Sequence, residues 1–536
     1  MSDIRDQLVW NRLLAIVEEQ AQTLMRTAFS AVVREAGDLS AGVFDTTGSM
    51  LAQAVTGTPG HVNAMAASVG KFLESFPLPE LAPGDVLLTN DPWDGTGHLN
   101  DFTVVTPVFT DGRAVALFAA TSHIADVGGR GFGPDAGEVF EEGLRVPIMK
   151  LFDKGELDDS LMRLITANVR DPVVAEGDLY SLTACNRSGA EHLLKAMRDF
   201  ELDELDGVGR WITDTSKRAM HAEIAAVPDG VYRNDMTVDG YDTPIHVECA
   251  LTVSGDAIDI DFRGSSGVSP FGINVPVNYT EAYASFGVRC VVGNDIPNNA
   301  GSLQPITVRA PSGCILNAEP PAAVSARHAL GQMLPDVVLG CLDQAIPGVV
   351  PAEGASCIWN PVLRSVATAG GNFTDRPFVI NPIFNGGTGA RAAKDGLSTT
   401  AFPSGVRTTP TEVNEVTAPL IIRRREYRAG SGGAGEHRGG LGQIIEIAHA
   451  EGAPFVISKM FERVRHPANG RRGGSAGAPG RVYIKGGAEL RGKGQDIVPA
   501  GAILVMETPG GGGMGNPDKR DAAAITADQE AGLLHP

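Results

Sequence analysis

The sequence of 536 residues lacks any apolar run near the roughly 20 residues that a membrane-spanning helix needs. Cysteine is scarce: the chain has six, and no two of them form a C-x-x-C pair. Residues 1–7 are polar and acidic, so no secretory signal peptide is visible. These absences predict a cytoplasmic protein with reduced thiols and no membrane association.

Positive charge is also in deficit. The chain has 44 Lys and Arg against 64 Asp and Glu, a formal net charge of −20. Nucleic-acid-binding proteins usually carry a basic patch, so this balance predicts no nucleic-acid partner. Residues 420–495 depart from the acidic balance of the whole chain, with 14 basic residues against 6 acidic ones. This segment is either a solvated face or a basic wall for an anionic ligand or a partner subunit. The arginines that would form such a wall are Arg423, Arg424, Arg425, Arg428 and Arg438.

The common nucleotide and hydrolase motifs are missing as well. No G-x-x-x-x-G-K-[ST] phosphate-binding loop and no H-E-x-x-H zinc motif occur. Glycines 510, 512 and 515 match the dinucleotide-binding string, but Asn516 and Pro517 follow them instead of a helix. Residues 473–477 match G-x-S-x-G without the strand and helix that a serine nucleophile needs.

The composition is that of a large globular protein: 43% of residues are hydrophobic and 66 are glycine. Such a glycine content favours sheets and loops over a helix bundle. We predict an α+β fold rich in antiparallel sheet, with one long helix over the first 36 residues, another helix over residues 322–347 and a glycine-rich C-terminal region. Shifts in composition suggest a metal-site domain (1–225), a β-rich middle region (226–415) and a basic, glycine-rich C-terminal region (416–536).

Chemically active side chains are densest between residues 90 and 101 and just after residue 122. The Asp111-Gly112 pair predicts a two-residue hairpin loop between two apolar runs. In that register His123 opposes Asn100, and His98 is its diagonal neighbour on the same face, about 7–8 Å away. Asp101 would point to the opposite face and could join the histidines only through a bulge or a turn of the chain.

Two imidazoles with one or two carboxylates suit a divalent transition metal: Zn²⁺, Mn²⁺ or Fe²⁺, of which we favour Zn²⁺ or Mn²⁺. For either histidine alone, a structural hydrogen-bonding role is the better interpretation. For His98, Asp101 and His123 together, a metal site is the better one.

The segment Asn90–Val108 resembles the signature of the hydantoinase B/oxoprolinase family. Further resembling segments follow in the family's order, and the resemblance runs from about residue 10 to residue 517. The further resembling segments are Ser122–Gly129, Glu141–Pro147, Asn298–Pro305, Ser431–Gly442 and Thr508–Gly515.

This resemblance implies a two-component enzyme. A hydantoinase A-type subunit would bind ATP and phosphorylate the substrate carbonyl, and the B subunit would complete the reaction at a divalent metal, in a hetero-oligomer of α2β2 type. The family's metal ligands fall on Asp38, His98, Asp101 and His123. The resemblance places His61 near the substrate, and Asp126 is a candidate general base or a cap of the following Gly-Gly turn.

Three functions stay open. The first is a B subunit of an ATP-dependent cyclic-amide hydrolase that opens hydantoin, 5-oxoproline or lactam rings. The second is a subunit of an ATP-dependent ketone carboxylase, and the third is a non-catalytic scaffold subunit. Carboxylase large subunits tend to be longer than this chain, which favours ring hydrolysis, and the presence of all four ligand residues argues against a scaffold. Trp93 and Asp94 replace the family's more usual Tyr and Gly, so the substrate can differ from that of well-known members.

Overall fold

The computed structural model describes residues 2–366 and 377–534, with side chains from Ile4 onward. It confirms the predicted α+β fold, the antiparallel sheets and the long N-terminal helix. The described strands pair antiparallel except β10 and β11, which run parallel. The strands are β1 Leu39–Phe44, β2 Met50–Gln53, β3 Val86–Thr89, β4 Asp101–Thr110, β5 Arg113–His123, β6 Met149–Asp153, β7 Glu156–Leu157, β8 Gly230–Val238, β9 Ile245–Ser254, β10 Ala257–Asp261, β11 Ile306–Arg309, β12 Val362–Ser365, β13 Val379–Ile380, β14 Leu420–Tyr427, β15 Gln443–His449, β16 Phe455–Met460, β17 Arg481–Ile484, β18 Lys493–Val498 and β19 Ile503–Glu507.

Helices join and cover these strands. They are α1 Ser2–Thr27, α2 Ala31–Arg34, α3 Pro59–Ser75, α4 Val139–Glu142, α5 Asp159–Asn168, α6 Pro172–Asp199, α7 Asp206–Ala225, α8 Val277–Arg289, α9 Ala300–Leu303, α10 His328–Gly331, α11 Leu334–Ala345, α12 Thr411–Thr417 and α13 Ala522–Glu530. Short 3-10 helices span Leu78–Glu80 and Pro517–Lys519. Within the described part of the chain, no helix combines the length and apolar character that crossing a membrane requires.

The first sheet has seven strands in the order β2-β1-β5-β4-β3-β6-β7 and is covered on both faces. Alternate residues of β4 and β5 point to opposite faces. Val104 and Phe118 pack against α1 and α6, whereas Val105 and Leu117 pack against α3. Burial of both faces explains why these strands are continuously apolar and not alternating.

Three four-stranded sheets follow: β11-β10-β9-β8, β13-β12-β16-β18 and β14-β15-β19-β17. Helices α8 and α11 cover the first of them, and the other two share a core around Trp359. The proposed boundaries at 225 and 415 stay predictions. The sheet built on β12 joins strands from both sides of residue 415.

Both predicted long helices are interrupted. The N-terminal helix ends at Thr27, because Asp178 on α6 accepts hydrogen bonds from the backbone N–H groups of Phe29 and Ser30 at 2.7 and 3.1 Å. The predicted helix over 322–347 is replaced by a loop, α10 and α11. This change places Arg327 at the end of the loop and His328 at the start of α10, and both side chains line the site described below.

The glycine-rich segments form a close-packed backbone structure. Residues 510–513 are its central segment, and their backbone N–H groups donate hydrogen bonds of 2.9–3.1 Å to three other segments of the chain, at Glu353, Gly440 and Ser475–Ala478. A Cβ at Gly511 would lie 1.9 Å from the carbonyl oxygen of Thr388, and one at Gly439 would lie 1.9 Å from that of Gly511. Only glycine permits this approach, so these clusters are core positions and not flexible linkers.

We expect Gly511→Ala to lower the free energy of unfolding by about 3 kcal/mol, because the added methyl group overlaps a backbone carbonyl that cannot withdraw. The control is Gly207→Ala in α7, where no atom lies within 4 Å of the added Cβ and alanine favours the helix. Thermal unfolding followed by circular dichroism checks both variants. An unchanged midpoint for Gly511→Ala would contradict the packing.

Glu142, the last residue of α4, binds the loop that leads to Arg327. It is buried, and its Oε1 accepts hydrogen bonds from the backbone N–H groups of Val324 and Ser325, both at 2.7 Å. Burial raises the pKa of Glu142 to about 8, although the two backbone donors oppose the shift. Near neutral pH its side chain therefore holds a proton in the folded protein.

Because the pKa of Glu142 is raised on folding, we predict that the stability of the folded protein depends on pH. Between its ordinary pKa of 4.5 and about 8, the unfolded chain releases this proton and the folded chain keeps it, so stability falls as pH rises. Glu142→Gln removes the titration and should stabilise the protein by about 4 kcal/mol at pH 8, with little effect at pH 5. The control is Glu141→Gln. The measurement is the unfolding midpoint at both pH values, and an effect independent of pH would refute the assignment.

Candidate metal centre

One end of the seven-stranded sheet collects the predicted site residues. Asp38 immediately precedes β1, Asp101 begins β4 and His123 ends β5, and these three strands are neighbours in the order β1-β5-β4. The backbone N–H of His123 donates to the carbonyl oxygen of Asp38 at 3.3 Å. The sheet topology therefore brings together residues that are up to 85 positions apart in the sequence.

The register of the hairpin differs from the predicted one by a single residue. The Asp111-Gly112 loop is present, with positive φ at both residues, and Thr110 pairs with Arg113 as expected. The register shifts between Val108 and Phe109, where Val115 on β5 is left without an opposing residue. His123 consequently faces Asp101 and not Asn100. The predicted pairing was wrong, and a bulge of the kind required for Asp101 to join the histidines is present.

Asp101 is fully buried and is the centre of the site. Its Oδ1 lies 2.7 Å from His98 Nε2 and 3.3 Å from His123 Nδ1. Its Oδ2 accepts from Thr96 at 2.9 Å and from Arg327 at 2.5 Å, and lies 2.9 Å from His61 Nε2. Oδ2 of Asp101 is thus surrounded by donors, while Oδ1 faces the imidazoles of His98 and His123.

The charge state of Asp101 follows from these neighbours. Burial alone would raise the pKa of Asp101, but surrounding positive groups, led by His61 and including Arg327, outweigh it and hold that pKa well below its usual range. Arg327 is itself buried and stacks on the ring of Tyr279, 4.0 Å from its centre. The carboxylate is therefore ionised at neutral pH.

His98 presents a lone pair to this carboxylate. Its Nδ1 lies 2.9 Å from the carbonyl oxygen of Ser325, which can only accept, so Nδ1 carries the hydrogen. Burial, aided by the charge of Arg327, lowers the pKa of His98 to about 4, so the ring is neutral at neutral pH. The unprotonated Nε2 then faces Asp101 Oδ1 at 2.7 Å. Two acceptors at this distance repel each other unless a cation lies between them.

The cluster fits a metal ion in two further respects. Ligand atoms of His98, Asp101 and His123 all lie within 4.8 Å of one another, and the three side chains are buried. Nε2 of His123 is buried and has no hydrogen-bond partner among the described residues. Two imidazole nitrogens and a carboxylate oxygen match the donors that Zn²⁺ and Mn²⁺ take.

Asp38 and His61 lie beside this cluster. Asp38 Oδ1 is 3.6 Å from His61 Nδ1 and accepts from the Thr58 hydroxyl at 3.1 Å. Burial lowers the pKa of His61, but the carboxylates of Asp101 and Asp38 outweigh burial and raise that pKa above its ordinary value. His61 can therefore hold a proton between two carboxylates.

The structure does not bring Asp126 to the cluster. Its carboxylate pairs with the side chain and the backbone N–H of Arg170. The same guanidinium donates to the carbonyl oxygens of Gly128 and Gly129 at 3.2 and 2.6 Å. Arg170, and not Asp126, therefore contacts the Gly-Gly turn directly, so the predicted cap by Asp126 stays a prediction.

Several site residues were not predicted. Arg327 and His328 come from the interrupted helix, and Thr96 comes from the loop before Asp101. The ring of Phe132 packs on the imidazoles of His98, His123 and His328, with ring centres 5.0–5.6 Å apart. The sequence carried one usable signal: Arg327 and His328 interrupt an otherwise apolar run between Ala326 and Ala329.

A cavity of about 20 Å³, enough for one water molecule, lies at the cluster. It is lined by Asp38, Thr58, His61, His98, His123, Phe132, Tyr279, Arg327, His328, Gln332, Ile358, Asn360, Asn381, Ile383 and Val406.

Known proteins align with nearly the whole of this chain. The 5-oxoprolinase 1 of Arabidopsis thaliana is 29% identical over 551 residues, which cover 96% of this chain but 42% of that protein. The caprolactamase subunit beta of Pseudomonas jessenii is 28% identical over 96% of this chain and 91% of its own length. This chain therefore spans about two fifths of the plant relative and nearly all of the bacterial subunit.

Solved structures show the same fold. The crystal structure of the ATP-dependent caprolactamase from Pseudomonas jessenii has a TM-score of 0.91 at 26% identity, over 99% of this chain and 94% of that one. A nucleotide-free structure of acetone carboxylase has a TM-score of 0.86 at 19% identity, over 99% of this chain and 78% of that one. The family model described as hydantoinase B/oxoprolinase matches residues 2–517. This chain belongs to the hydantoinase B/oxoprolinase family.

Proposed function

We propose that this chain is the metal-bearing B subunit of an ATP-dependent enzyme that hydrolyses cyclic amides. The observation that carries the proposal is the unprotonated Nε2 of His98, 2.7 Å from the ionised carboxylate of Asp101. A divalent cation held by His98, Asp101 and His123, with Asp38 nearby as a fourth ligand, removes this repulsion. Zn²⁺ and Mn²⁺ suit these donors best.

When bound, such an ion polarises a carbonyl-derived oxygen and makes water more acidic. The protein's own residues prepare the site for it. Arg327 and Thr96 hold Oδ2 of Asp101, so Oδ1 is the oxygen left for a metal. The Ser325 carbonyl fixes the tautomer of His98.

His61 is the residue placed to move a proton. Its Nε2 lies 2.9 Å from Asp101 and its Nδ1 is 3.6 Å from Asp38, and the ring lines the cavity. Opening an amide ring requires a proton on the departing nitrogen, and a histidine with a pKa above its ordinary value is suited to hold one near neutral pH. Asp126, bound by Arg170, has no part in this proposal.

ATP would be used by a partner of the hydantoinase A type. The sequence contains no phosphate-binding loop. The bacterial relative is named as subunit beta, and the plant relative has more than twice this length, so both fit an enzyme whose second component lies outside this region. The partner would phosphorylate the substrate carbonyl and so make it a better target for water.

The purified protein should contain about one divalent transition metal per chain, and His123→Ala should lose most of it. Removing one ligand from a small site leaves an incomplete coordination shell, so we expect metal affinity to fall at least tenfold. The control is His246→Ala, because His246 on β9 has a half-buried side chain that is not part of the cluster. Elemental analysis after dialysis against equal free metal decides, and equal metal in wild type and His123→Ala would contradict the ligand assignment.

The isolated chain should hydrolyse no ATP and turn over no substrate. The co-purified partner should restore ATP hydrolysis that depends on a cyclic amide. Hydantoins, 5-oxoproline and lactams are tested beside ketones with bicarbonate, which would reveal a carboxylase instead. ATP-dependent turnover by the pure single chain would refute the division between two subunits.

A further inference from the structure

Glu142 is a buried acidic residue that the proposed mechanism does not use. It lies in the segment Glu141–Pro147, which resembles the family, and ends the short helix α4. Within the described part of the chain its hydrogen bonds go to the backbone N–H groups of Val324 and Ser325, both 2.7 Å from Oε1, and not to a proposed metal ligand. Its effect on the metal centre must therefore pass through the loop that carries these two residues.

Ser325 connects this loop to the metal centre. It is buried, and each of its polar groups binds a different part of the chain. Its backbone N–H donates to Glu142, and its carbonyl oxygen lies 2.9 Å from Nδ1 of His98. Its hydroxyl accepts from the backbone N–H of Gly133 at 3.4 Å. With the N–H group of Ser325 held by Glu142, the backbone around it is fixed and its carbonyl stays on His98.

The same loop positions Arg327. The backbone N–H of Arg327 donates to the carbonyl oxygen of Val324 at 3.0 Å, and its guanidinium binds Oδ2 of Asp101. Glu142 therefore holds the start of the turn from which this arginine extends. One carboxyl oxygen of Glu142 thus supports two groups of the metal centre, the Ser325 carbonyl and the Arg327 guanidinium.

The Ser325 carbonyl keeps His98 in the tautomer that a metal needs. A neutral imidazole carries one hydrogen, and the carbonyl requires it on Nδ1. Without that carbonyl the hydrogen can move to Nε2, which lies 2.7 Å from Oδ1 of Asp101 and could donate to it. That arrangement satisfies the metal-free site but removes the lone pair that would bind a metal. A metal would then bind only after the first tautomer is restored.

We propose that Glu142 is a positioning residue for the metal centre: by holding the backbone of Ser325, it keeps the hydrogen of His98 on Nδ1 and leaves Nε2 free for a metal. This inference rests on the proposed function, because it concerns the same metal centre. It adds a residue that touches neither the metal ligands nor the cavity, and it gives a role to the segment Glu141–Pro147.

Two variants of Glu142 separate the hydrogen-bond acceptor from the rest of the side chain. Glu142→Gln keeps an acceptor at Oε1. Its new amino group replaces Oε2, which is buried and has no partner among residues 2–366 and 377–534, so no bond is broken there. Glu142→Met has a similar length but no oxygen, so it leaves the N–H groups of Val324 and Ser325 without their acceptor.

The first measurement is the Zn²⁺ affinity of the full-length chain at pH 7, by competition with a chromogenic chelator. Loss of residues that orient metal ligands typically weakens metal binding by about 10- to 100-fold. We expect Glu142→Met to bind Zn²⁺ about tenfold or more weakly than wild type, and Glu142→Gln to bind it within about twofold of wild type.

The control for lost stability is Leu193→Ala. Leu193 is buried on α6 in the core of the first sheet and makes none of the bonds described above. Its truncation leaves a cavity and destabilises the fold, as the loss of two hydrogen bonds would. We expect its Zn²⁺ affinity to stay within about twofold of wild type, because the loop at Ser325 is unchanged.

The second measurement reads the tautomer of His98 without any metal. Long-range ¹H–¹⁵N correlation spectra of histidine-labelled, metal-free protein distinguish a hydrogen on Nδ1 from one on Nε2, and the spectrum of His98→Ala assigns the signals. We expect the Nδ1 hydrogen in wild type and in Glu142→Gln, and an Nε2 hydrogen in Glu142→Met. If Glu142→Met fails to fold, Glu142→Asp replaces it. Its oxygen is withdrawn by one carbon–carbon bond, so we expect the same change of tautomer and a Zn²⁺ affinity lower by about threefold or more.

Three results would overturn the inference: wild-type Zn²⁺ affinity with an Nδ1 hydrogen in Glu142→Met or its replacement, an equal loss of affinity in Glu142→Gln, or an equal loss in Leu193→Ala. The two proposals fail separately. If wild type binds Zn²⁺ and Glu142→Met binds it equally well, the inference is wrong and the proposed function stands. If wild type binds no Zn²⁺ but the tautomer of His98 still depends on Glu142, the positioning role stands and the proposed metal function is wrong.

Discussion

The buried carboxylate of Asp101 is the interaction on which the site depends. An ionised carboxylate without water is costly unless charges and hydrogen bonds surround it. Here Arg327, Thr96 and His61 hold one oxygen, and His98 and His123 face the other. These five partners come from strand β5, helix α3 and two loops, so distant parts of the chain must fold around Asp101. The requirement for compensation explains why an arginine with 2% exposure lies in the core.

Sequence patterns predicted the elements near the site better than the contacts between them. The Asp-Gly loop fixed the hairpin, but a single unpaired residue, Val115, reversed which face of β4 meets His123. Asp38, His98, Asp101 and His123 were nevertheless expected together, because the family resemblance supplied what strand pairing alone could not. Arg327 lies 226 positions from Asp101, and no local periodicity reports a contact at that separation. Asp126, by contrast, is close to His123 in sequence but does not contact the site, because its carboxylate pairs with Arg170.

The basic segment shows why charge counts alone did not predict contacts. Arg428 pairs with Glu507 at 2.9 Å, and Arg438 pairs with Asp528 of α13 at 3.1 Å. These two arginines neutralise acids within the chain and are not part of a basic wall. The glycine clusters were likewise predicted as a region but not as a structure, because their packing depends on backbone groups that sequence patterns do not describe. Helix and sheet periodicity reports side-chain burial only.

We propose that the end of the seven-stranded sheet is a metal site organised by Asp101. Crystals grown with Mn²⁺ test it most directly, through an anomalous difference map at the manganese edge. We expect one peak within bonding distance of His98 Nε2, a carboxylate oxygen of Asp101 and a ring nitrogen of His123. No peak there, or a peak held by other residues while His98 Nε2 still faces Asp101 at hydrogen-bond distance, would contradict it.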